Sequence, residues 1–467
     1  MKIHLSAICG TAMASLAGLL REQGHEVTGS DQDVYPPMST QLEALGIAIR
    51  SPYSEANVPE DADLVVIGNA LSRGNPEVEA VLDRRQRFTS LPGLLAEEFL
   101  RPHTSLVVAG THGKTTTTSL LAFLLHRAGL DPSFLIGGVP VDFGRSYRLG
   151  RGPHFVIEGD EYDCAFFDKR PKFVHYLPNV AIIGNVEFDH ADIYPNLAAV
   201  QLAFVRLMNV VPRNGLLIAG TESPALVQIL DGARCRVETF GLHEGADWRA
   251  TGVHTGSEGS RFRLERHGRD EGEFTLRMGG EHNVRNALAA LAAAAEAGVE
   301  PAAAREALAA FKGVKRRLEV RGEAGGVTVY DDFAHHPTAV AATLSALRAL
   351  GGTGRLVAVF EPRSYTSRTR VFQADFARAF ALADRVIVSA AHLPGKVPEG
   401  QRLSEAELAE GIRREGTEAA FVPGVDEIVR SLVPQLRSGD RVAILSNGGF
   451  GGIHDKLLRS LEAAART

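Results

Sequence analysis

Cysteine and tryptophan are scarce in this chain, with 3 and 1 residues among 467. Cys9, Cys164 and Cys235 lie far apart and form no Cys-x-x-Cys pair. That excludes a disulfide scaffold and favours buried thiols in a reducing compartment over metal or disulfide roles. Long runs of lysine and arginine are also missing, and the net charge is −6. Nucleic acid is therefore not expected as a major partner, and a polyanionic ligand would have to be held by local geometry rather than by a global field. No long apolar run is present either. The most apolar long segment, Ala287–Ala310, is interrupted by Glu296, Gly298, Pro301 and Arg305. It reads as two soluble helices, with no membrane insertion. The first residues enter strand-like sequence directly, without a signal core or cleavage site, so a cytoplasmic protein is expected. A chain of 467 residues is too long for one core, and about three domains are expected.

What is present is a phosphate cradle. Residues 106–118 read Leu-Val-Val-Ala-Gly-Thr-His-Gly-Lys-Thr-Thr-Thr-Thr. The β-branched run suits a buried parallel strand, and Gly110 and Gly113 let backbone N–H groups curl inward. Lys114 can reach terminal phosphates, and Thr115 can hold Mg²⁺ through its hydroxyl. Leu120, Leu121, Leu124 and Leu125 then recur at helical spacing, which puts a helix N-terminus at the loop. The common form of this loop has a glycine where the chain has Val108, so the match lies in strand, turn, Lys-Thr and helix rather than in the letter pattern.

The architecture expected is α/β in three domains, at 1–102, 103–312 and 313–467. In the first, strands at Lys2–Ile8, His25–Thr28 and Leu64–Ile67 alternate with helices at Met13–Gln23 and from Pro76, as in a doubly wound, Rossmann-like parallel sheet. Its first turn carries one glycine, Gly10, and Asp31 lies twenty-one residues beyond it. Asp31 is there either to meet a ribose hydroxyl or as a solvated acid at a strand end. The second unit, of phosphate-loop ATPase type, continues through Phe155–Ile157 and Val180–Ile183. Residues 248–278 alternate polar and apolar, with turn glycines at Gly252, Gly256, Gly259 and Gly268, and predict appended antiparallel hairpins. Phe311–Leu318 reads as a linker. The third unit is again Rossmann-like, with strands at Val327–Tyr330, Leu356–Phe360, Arg385–Val388 and Arg441–Leu445 and a glycine-rich stretch at 448–452.

Further polar clusters fall at strand ends. Glu158 follows Phe155–Ile157, where a Mg²⁺ ligand is expected beside a phosphate cradle; Asp160 and Glu161 stay undecided. Asn185-Val-Glu187-Phe-Asp189-His190-Ala-Asp192 follows the next strand, and His190 can ligate a second metal. Four polar groups crowd the start of a helix at His282-Asn283-Val-Arg285-Asn286, more than capping requires, and leave Asn283 free to read an adenine edge. Asp331-Asp332-Phe-Ala-His335-His336-Pro337 ends another strand. Arg363, Arg368 and Arg370 follow Glu361-Pro362 and suit either a carboxylate clamp or a solvated loop.

In this order, Gly110-Thr-His-Gly-Lys-Thr-Thr, Glu158, the Asn185–His190 run, His282-Asn283-x-x-Asn286 and Asp331-Asp332-x-x-His335-His336-Pro337 resemble the motifs of the Mur ligases over nearly the whole chain. The resemblance implies an ATP-dependent amide ligase. A carboxylate of UDP-N-acetylmuramate would take the γ-phosphate to give an acyl phosphate, which an amine then attacks. It implies ATP held by Gly110, Thr111, His112, Gly113, Lys114, Thr115, Thr116, Asn283, Arg317 and Asp332, and two Mg²⁺ ions held by Thr115, Glu158 and His190. Lys114, Glu158 and His190 would be the catalytic groups. The UDP-sugar would meet Gly10, Thr11, Ser30 and Asp31, and the amine substrate His335, His336 and Arg363.

Ile8–Met13, Ser30-Asp31 with Val34–Glu43, Gly159–Lys169 and Ser446–His454 resemble the branch that attaches the murein tripeptide L-Ala-γ-D-Glu-meso-diaminopimelate in cell-wall recycling. Arg363–Arg370 partly resembles the branch that adds L-alanine during new synthesis. Residues 201–206 hold no lysine for the carbamoylation that other branches use, so no such modification is expected. The Asp-Asn-Pro-Arg motif that reads diaminopimelate elsewhere is absent too. A kinase or nucleotide-binding regulator would share the phosphate loop but leaves the acid–histidine cluster and the third unit without a task. No oligomeric state is implied.

Overall fold

The apolar runs assemble into three sheets in a computed structural model that describes residues 1–32, 34 and 38–465. Residues 35–37 of the Val34–Glu43 stretch lie outside the described residues. The first sheet is wholly parallel, in the order Ile49–Arg50, Glu26–Ser30, Lys2–Ser6, Leu64–Ile67 and Phe88–Ser90. Leu64–Ile67 is buried throughout, as a parallel strand covered on both faces must be. The first strand ends at Ser6, two residues before the expected end, because Ala7 takes φ +68°. That turn sends the N–H groups of Ala7 and Ile8 together to Ser30 O, at 2.9 and 3.0 Å, and the helix begins at Thr11.

Beneath this turn is a polar knot. Glu77, fully buried in the helix Pro76–Asp83, accepts from the hydroxyls of Ser6 at 2.6 Å and Ser30 at 2.5 Å and from the Asn57 amide at 2.9 Å. Burial alone would raise its pKa, but these donors and His4 bring it down from the ordinary 4.5 to about 2. The carboxylate's stabilisation is therefore complete above about pH 4.5 and is lost as the pH falls towards 2. Glu77→Ala is expected to lower stability by about 2–4 kcal/mol, since it strands buried donors. It should also flatten the acid limb of unfolding between those pH values, and thermal melts across that range check both effects.

The central sheet has ten strands. Its parallel middle runs Arg236–Gly241, Leu216–Gly220, Val180–Ile183, Thr104–Ala109, His154–Glu158, Ser133–Leu135. The antiparallel meander Trp248–Gly256, Gly259–Arg266, Arg269–Leu276 extends one edge through a short parallel pairing of Phe240 with Trp248. Gly252 marks a bulge rather than a turn: its φ is +57°, and the register shifts between Thr251 and His254. The alanine-rich segment forms two helices, Glu281–Glu296 and Pro301–Ala310, which share a core with Phe262, Phe274 and the helix Lys114–Arg127.

The third sheet orders Glu319–Ala324, Val327–Asp332, Arg441–Leu445, Leu356–Phe360, Arg385–Val388, Glu418–Phe421, with only the first strand antiparallel. Between the second and third sheets, Phe311–Leu318 is stitched to both sides. Lys315 N–H reaches Val139 O at 3.0 Å, and Phe333 N–H reaches Arg316 O at 2.9 Å. Arg316 and Leu318 adopt φ +61° and +52°, which brackets Arg317 in a tight double turn. Among the described residues no helix is long and apolar enough to cross a membrane.

Candidate active site

Three neighbouring strands of the central sheet, Thr104–Ala109, His154–Glu158 and Val180–Ile183, end on one edge, with Val108 opposite Glu158 and Ala109 opposite Ile183. Crevices beyond the carboxyl ends of parallel strands are where such sheets bind ligands. Gly110 sits at φ +134°, and a Cβ there would lie 3.1 and 3.2 Å from the backbone nitrogens of Gly184 and Asn185. Gly113, at φ +81°, starts the helix Lys114–Arg127, and a Cβ there would meet Asn286 Oδ1 at 2.4 Å. The loop is thus closed from one side by Asn185, whose Oδ1 accepts His112 N–H at 2.8 Å, and from the other by Asn286, which accepts from the Thr117 hydroxyl at 3.2 Å. Thr116 is buried in the first helical turn.

At the mouth of the loop, Lys114 Nζ donates to Gly110 O at 2.7 Å, Thr111 O at 3.3 Å and both Glu161 carboxylate oxygens at 2.9 Å. His190 Nε2 lies 2.8 Å from Glu161 Oε1, and the His190 ring packs 4.2 Å from that of Tyr162. His190 itself takes φ +54°, a backbone strain of order 1 kcal/mol of the kind held at functional sites. Burial disfavours the ammonium of Lys114 and the imidazolium of His190. Even so, the Glu161 carboxylate turns both pKa values upward, with help from Asp160 and Glu158 at Lys114 and from Asp189 at His190. Glu161 is itself lowered, since Lys114 and His190 outweigh its burial.

On the other side of Lys114, the Thr115 hydroxyl donates to Glu158 Oε1 at 3.1 Å, and Glu158 Oε2 accepts Gly137 N–H at 2.7 Å. Burial raises the Glu158 pKa against the pull of Lys114, Gly137 and Arg317. A Cβ at Gly137 would sit 2.8 Å from Glu158 Oε2, and one at Gly138 would sit 2.8 Å from Thr115 Cγ2, so the two glycines leave the space beside this pair free. A hydroxyl and a carboxylate oxygen around such a cradle are the hard donor set that Mg²⁺ takes. Arg317 reaches the same place from the linker, 3.3 Å from Thr115 Oγ1.

The third sheet closes over the loop. Thr338 donates to Glu187 Oε2 at 2.6 Å, and Ala191 N–H donates to Thr366 Oγ1 at 3.2 Å. His336 packs its ring 4.7 Å from that of His112 and donates Nε2–H to Phe188 O at 3.2 Å. Burial and His112 lower its pKa to about 4, which keeps it neutral. His335 faces Asp189 at 4.0 Å and binds Phe333 O through Nδ1 at 3.0 Å.

Several expected site residues are placed differently from the sequence reading. Asn283 is not free: its Nδ2 donates to Gly279 O at 2.8 Å and its Oδ1 accepts from Asn286 at 3.3 Å, which ties it to the chain entering the helix. Asp332 turns inward, accepting Leu318 N–H at 2.7 Å and Ala334 N–H at 2.9 Å, so it shapes the Arg317 linker. Arg368 is buried and donates to Leu393 O at 2.7 Å and His392 O at 2.9 Å, and exposed Arg370 pairs with Glu407, so neither is a free carboxylate clamp. Arg363 keeps its guanidinium over Gly448, where a Cβ would lie 2.0 Å from Nε, which accounts for one glycine of the 448–452 stretch.

In the first unit, Gly10 and Thr11 are exposed at the helix start. Ser30 is buried with its hydroxyl on Glu77. Asp31 is not a solvated acid: it is 8% exposed and accepts Cys9 N–H at 2.8 Å and the Tyr53 hydroxyl at 3.0 Å. Cys164 donates to Arg170 O at 3.1 Å, and burial pushes its pKa up to about 12, as befits an inert structural thiol.

A phosphate cradle with an acid–histidine cluster, set between two further α/β sheets, defines a nucleotide-dependent ligase, and the chain belongs to the Mur ligase family. It matches the Mur ligase family catalytic domain over residues 2–101, the Mur ligase middle domain over 108–294 and the Mur ligase glutamate ligase domain over 316–448. It is 47% identical to the UDP-N-acetylmuramate–L-alanyl-γ-D-glutamyl-meso-2,6-diaminoheptandioate ligase of Escherichia coli (strain K12), covering 100% of this chain and 99% of that protein. It is 38% identical to the UDP-N-acetylmuramate–L-alanine ligase of Anaeromyxobacter sp. (strain Fw109-5), over 99% and 98% of the two chains. The crystal structure of a murein peptide ligase from Psychrobacter arcticus 273-4 superposes with a TM-score of 0.75 at 40% identity, covering 99% of both chains.

Proposed function

We propose that this ligase joins UDP-N-acetylmuramate to L-alanyl-γ-D-glutamyl-meso-diaminopimelate at the expense of ATP, a reaction of murein recycling. The choice of amine substrate is carried by the full-length identity of 47% to a tripeptide ligase against 38% to an L-alanine ligase. The partial likeness of Arg363–Arg370 to the L-alanine branch makes addition of L-alanine the second reading. Residues 1–102 would take the UDP-sugar around Gly10, Thr11 and the Asp31-braced turn. Residues 103–312 would take ATP, and 313–467 the amine substrate, in a cytoplasmic enzyme.

The chemistry asked of the chain is to bring anions together and exclude water. Lys114 and the loop N–H groups would neutralise the terminal phosphates, and Arg317 would approach them from the linker. Thr115 and Glu158 fit a Mg²⁺ ion and His190 a second; bound there, they would supply charge neutralisation as the carboxylate takes the γ-phosphate. Arg363, partly exposed over Gly448 with its guanidinium 3.6 Å from the Glu361 carboxylate, would face the peptide. His335 and His336 would hold the third unit against the loop, shielding the acyl phosphate from hydrolysis.

ADP release with UDP-N-acetylmuramate and either amine tests this reading. The tripeptide is expected to exceed L-alanine in kcat/KM by at least about tenfold, a difference a few contacts can supply. Stimulation by L-alanine alone would overturn the tripeptide assignment, and release independent of either amine would overturn ligation.

A further inference from the structure

Lys114 has three donor protons, and the fold directs all of them. Two acceptors, Gly110 O and Thr111 O, are carbonyls of the loop itself and cannot leave without unwinding it. The third is Glu161, the one side chain of the set. Its carboxylate is 2% exposed and also holds His190, while its backbone carbonyl is pinned by the Tyr194 hydroxyl at 2.6 Å. Neighbouring Asp160 cannot stand in, because Lys172 takes one of its oxygens at 2.5 Å and Tyr162 N–H the other at 3.2 Å. A phosphate can therefore gain a proton of Lys114 most readily at the expense of Glu161.

We propose that Glu161 is an exchanged counter-ion: when a nucleotide phosphate takes Lys114, the released carboxylate and His190 form half of a divalent-cation site. The inference rests on the nucleotide reading of the loop. A buried carboxylate that loses Lys114 keeps only His190 beside it, which is unfavourable, so nucleotide binding without a divalent ion is opposed. A divalent cation at Glu161 and His190 restores the balance, and by linkage nucleotide and cation strengthen each other's binding. Glu161 is in this sense a positioning residue acting through Lys114 and His190.

Isothermal titration of the full chain with β,γ-imido-ATP, in EDTA and in millimolar Mg²⁺, separates this from a plain structural brace. Loss of a brace weakens binding in both conditions. Exchange predicts that Glu161→Gln, which frees Lys114, binds the analogue about fivefold more tightly than wild type in EDTA and is tightened less by Mg²⁺, since only an ion at Thr115 and Glu158 is left to act. Glu161→Asp, which keeps the charge, should retain the wild-type tightening, and it stands as the test should the glutamine variant fail to fold. Binding by Glu161→Gln no tighter than wild type in EDTA, or Mg²⁺ tightening unchanged in Glu161→Gln or lost in Glu161→Asp, overturns the exchange. Wild type that does not bind the analogue in either condition overturns the nucleotide reading itself.

Discussion

Lys114→Met is expected to reduce ligation by at least about a thousandfold in kcat/KM, or ~4 kcal/mol of transition-state stabilisation. The size follows from where the ammonium sits. It is the first residue of the helix Lys114–Arg127, so its charge adds to the partial positive charge of the helix end and to the inward N–H groups of the loop. Among the described residues no other lysine or arginine shares its place: Arg317 approaches on the Thr115 side, and Lys172 is committed to Asp160. Methionine keeps the buried stem, so the fold should persist, with Glu161 still paired to His190. The dependence of ADP release on ATP concentration, with the other substrates saturating, checks the prediction alongside a circular dichroism spectrum. Retention of more than about a tenth of the wild-type rate would mean that the loop has been misread.

Glu158→Gln is expected to lower turnover by about a thousandfold while leaving the melting temperature unchanged or raised. The two effects have one cause. Glu158 is buried, and its pKa is raised because desolvation outweighs Lys114, Gly137 N–H and Arg317. A carboxyl that holds its proton more tightly folded than unfolded costs the fold stability as the pH rises from its ordinary value of 4.5, and the cost is complete once the pH passes the raised value. Glutamine removes that burden at neutral pH and keeps the shape, yet it removes the charge that would hold Mg²⁺ beside Thr115. The Mg²⁺ dependence of the residual rate and a thermal melt at pH 7 report the two halves. A large loss of stability without loss of rate would assign Glu158 to the fold instead of the chemistry.

Much of the fold was legible because parallel strands buried on both faces are short apolar runs between turns. Leu64–Ile67, Val180–Ile183, Leu356–Phe360, Arg385–Val388 and Arg441–Leu445 agree with the sequence reading residue for residue. Edge strands were not legible. Glu319–Ala324 and Glu418–Phe421 are mostly polar or alanine, and their pairing partner, not their pattern, makes them strands. The short first strand shows another limit, since Ile8 is as apolar as its neighbours and only the left-handed turn at Ala7 removes it from the ladder.

The site divides in the same way. Gly110, Gly113, Lys114 and Thr115 form a cradle within one turn of chain, so their geometry is written locally and the sequence by itself determined it. The expectation of a carboxylate at the end of the next strand was also local, because strand ends converge wherever a parallel sheet forms. Glu161 could be seen only as an undecided acid past a strand end, and Asn185, Glu187 and Asn286 only as members of polar motifs whose partners in space were not given. Glu161 lies 47 residues from Lys114 and 29 from His190, and no spacing rule joins the three. Asp31 and Asp332 had the positions of ligand contacts, but the backbone N–H groups that they accept were invisible until the chain was folded. Tertiary structure alone decided which acids face one another, because Coulomb energy and desolvation depend on distance in space and on burial.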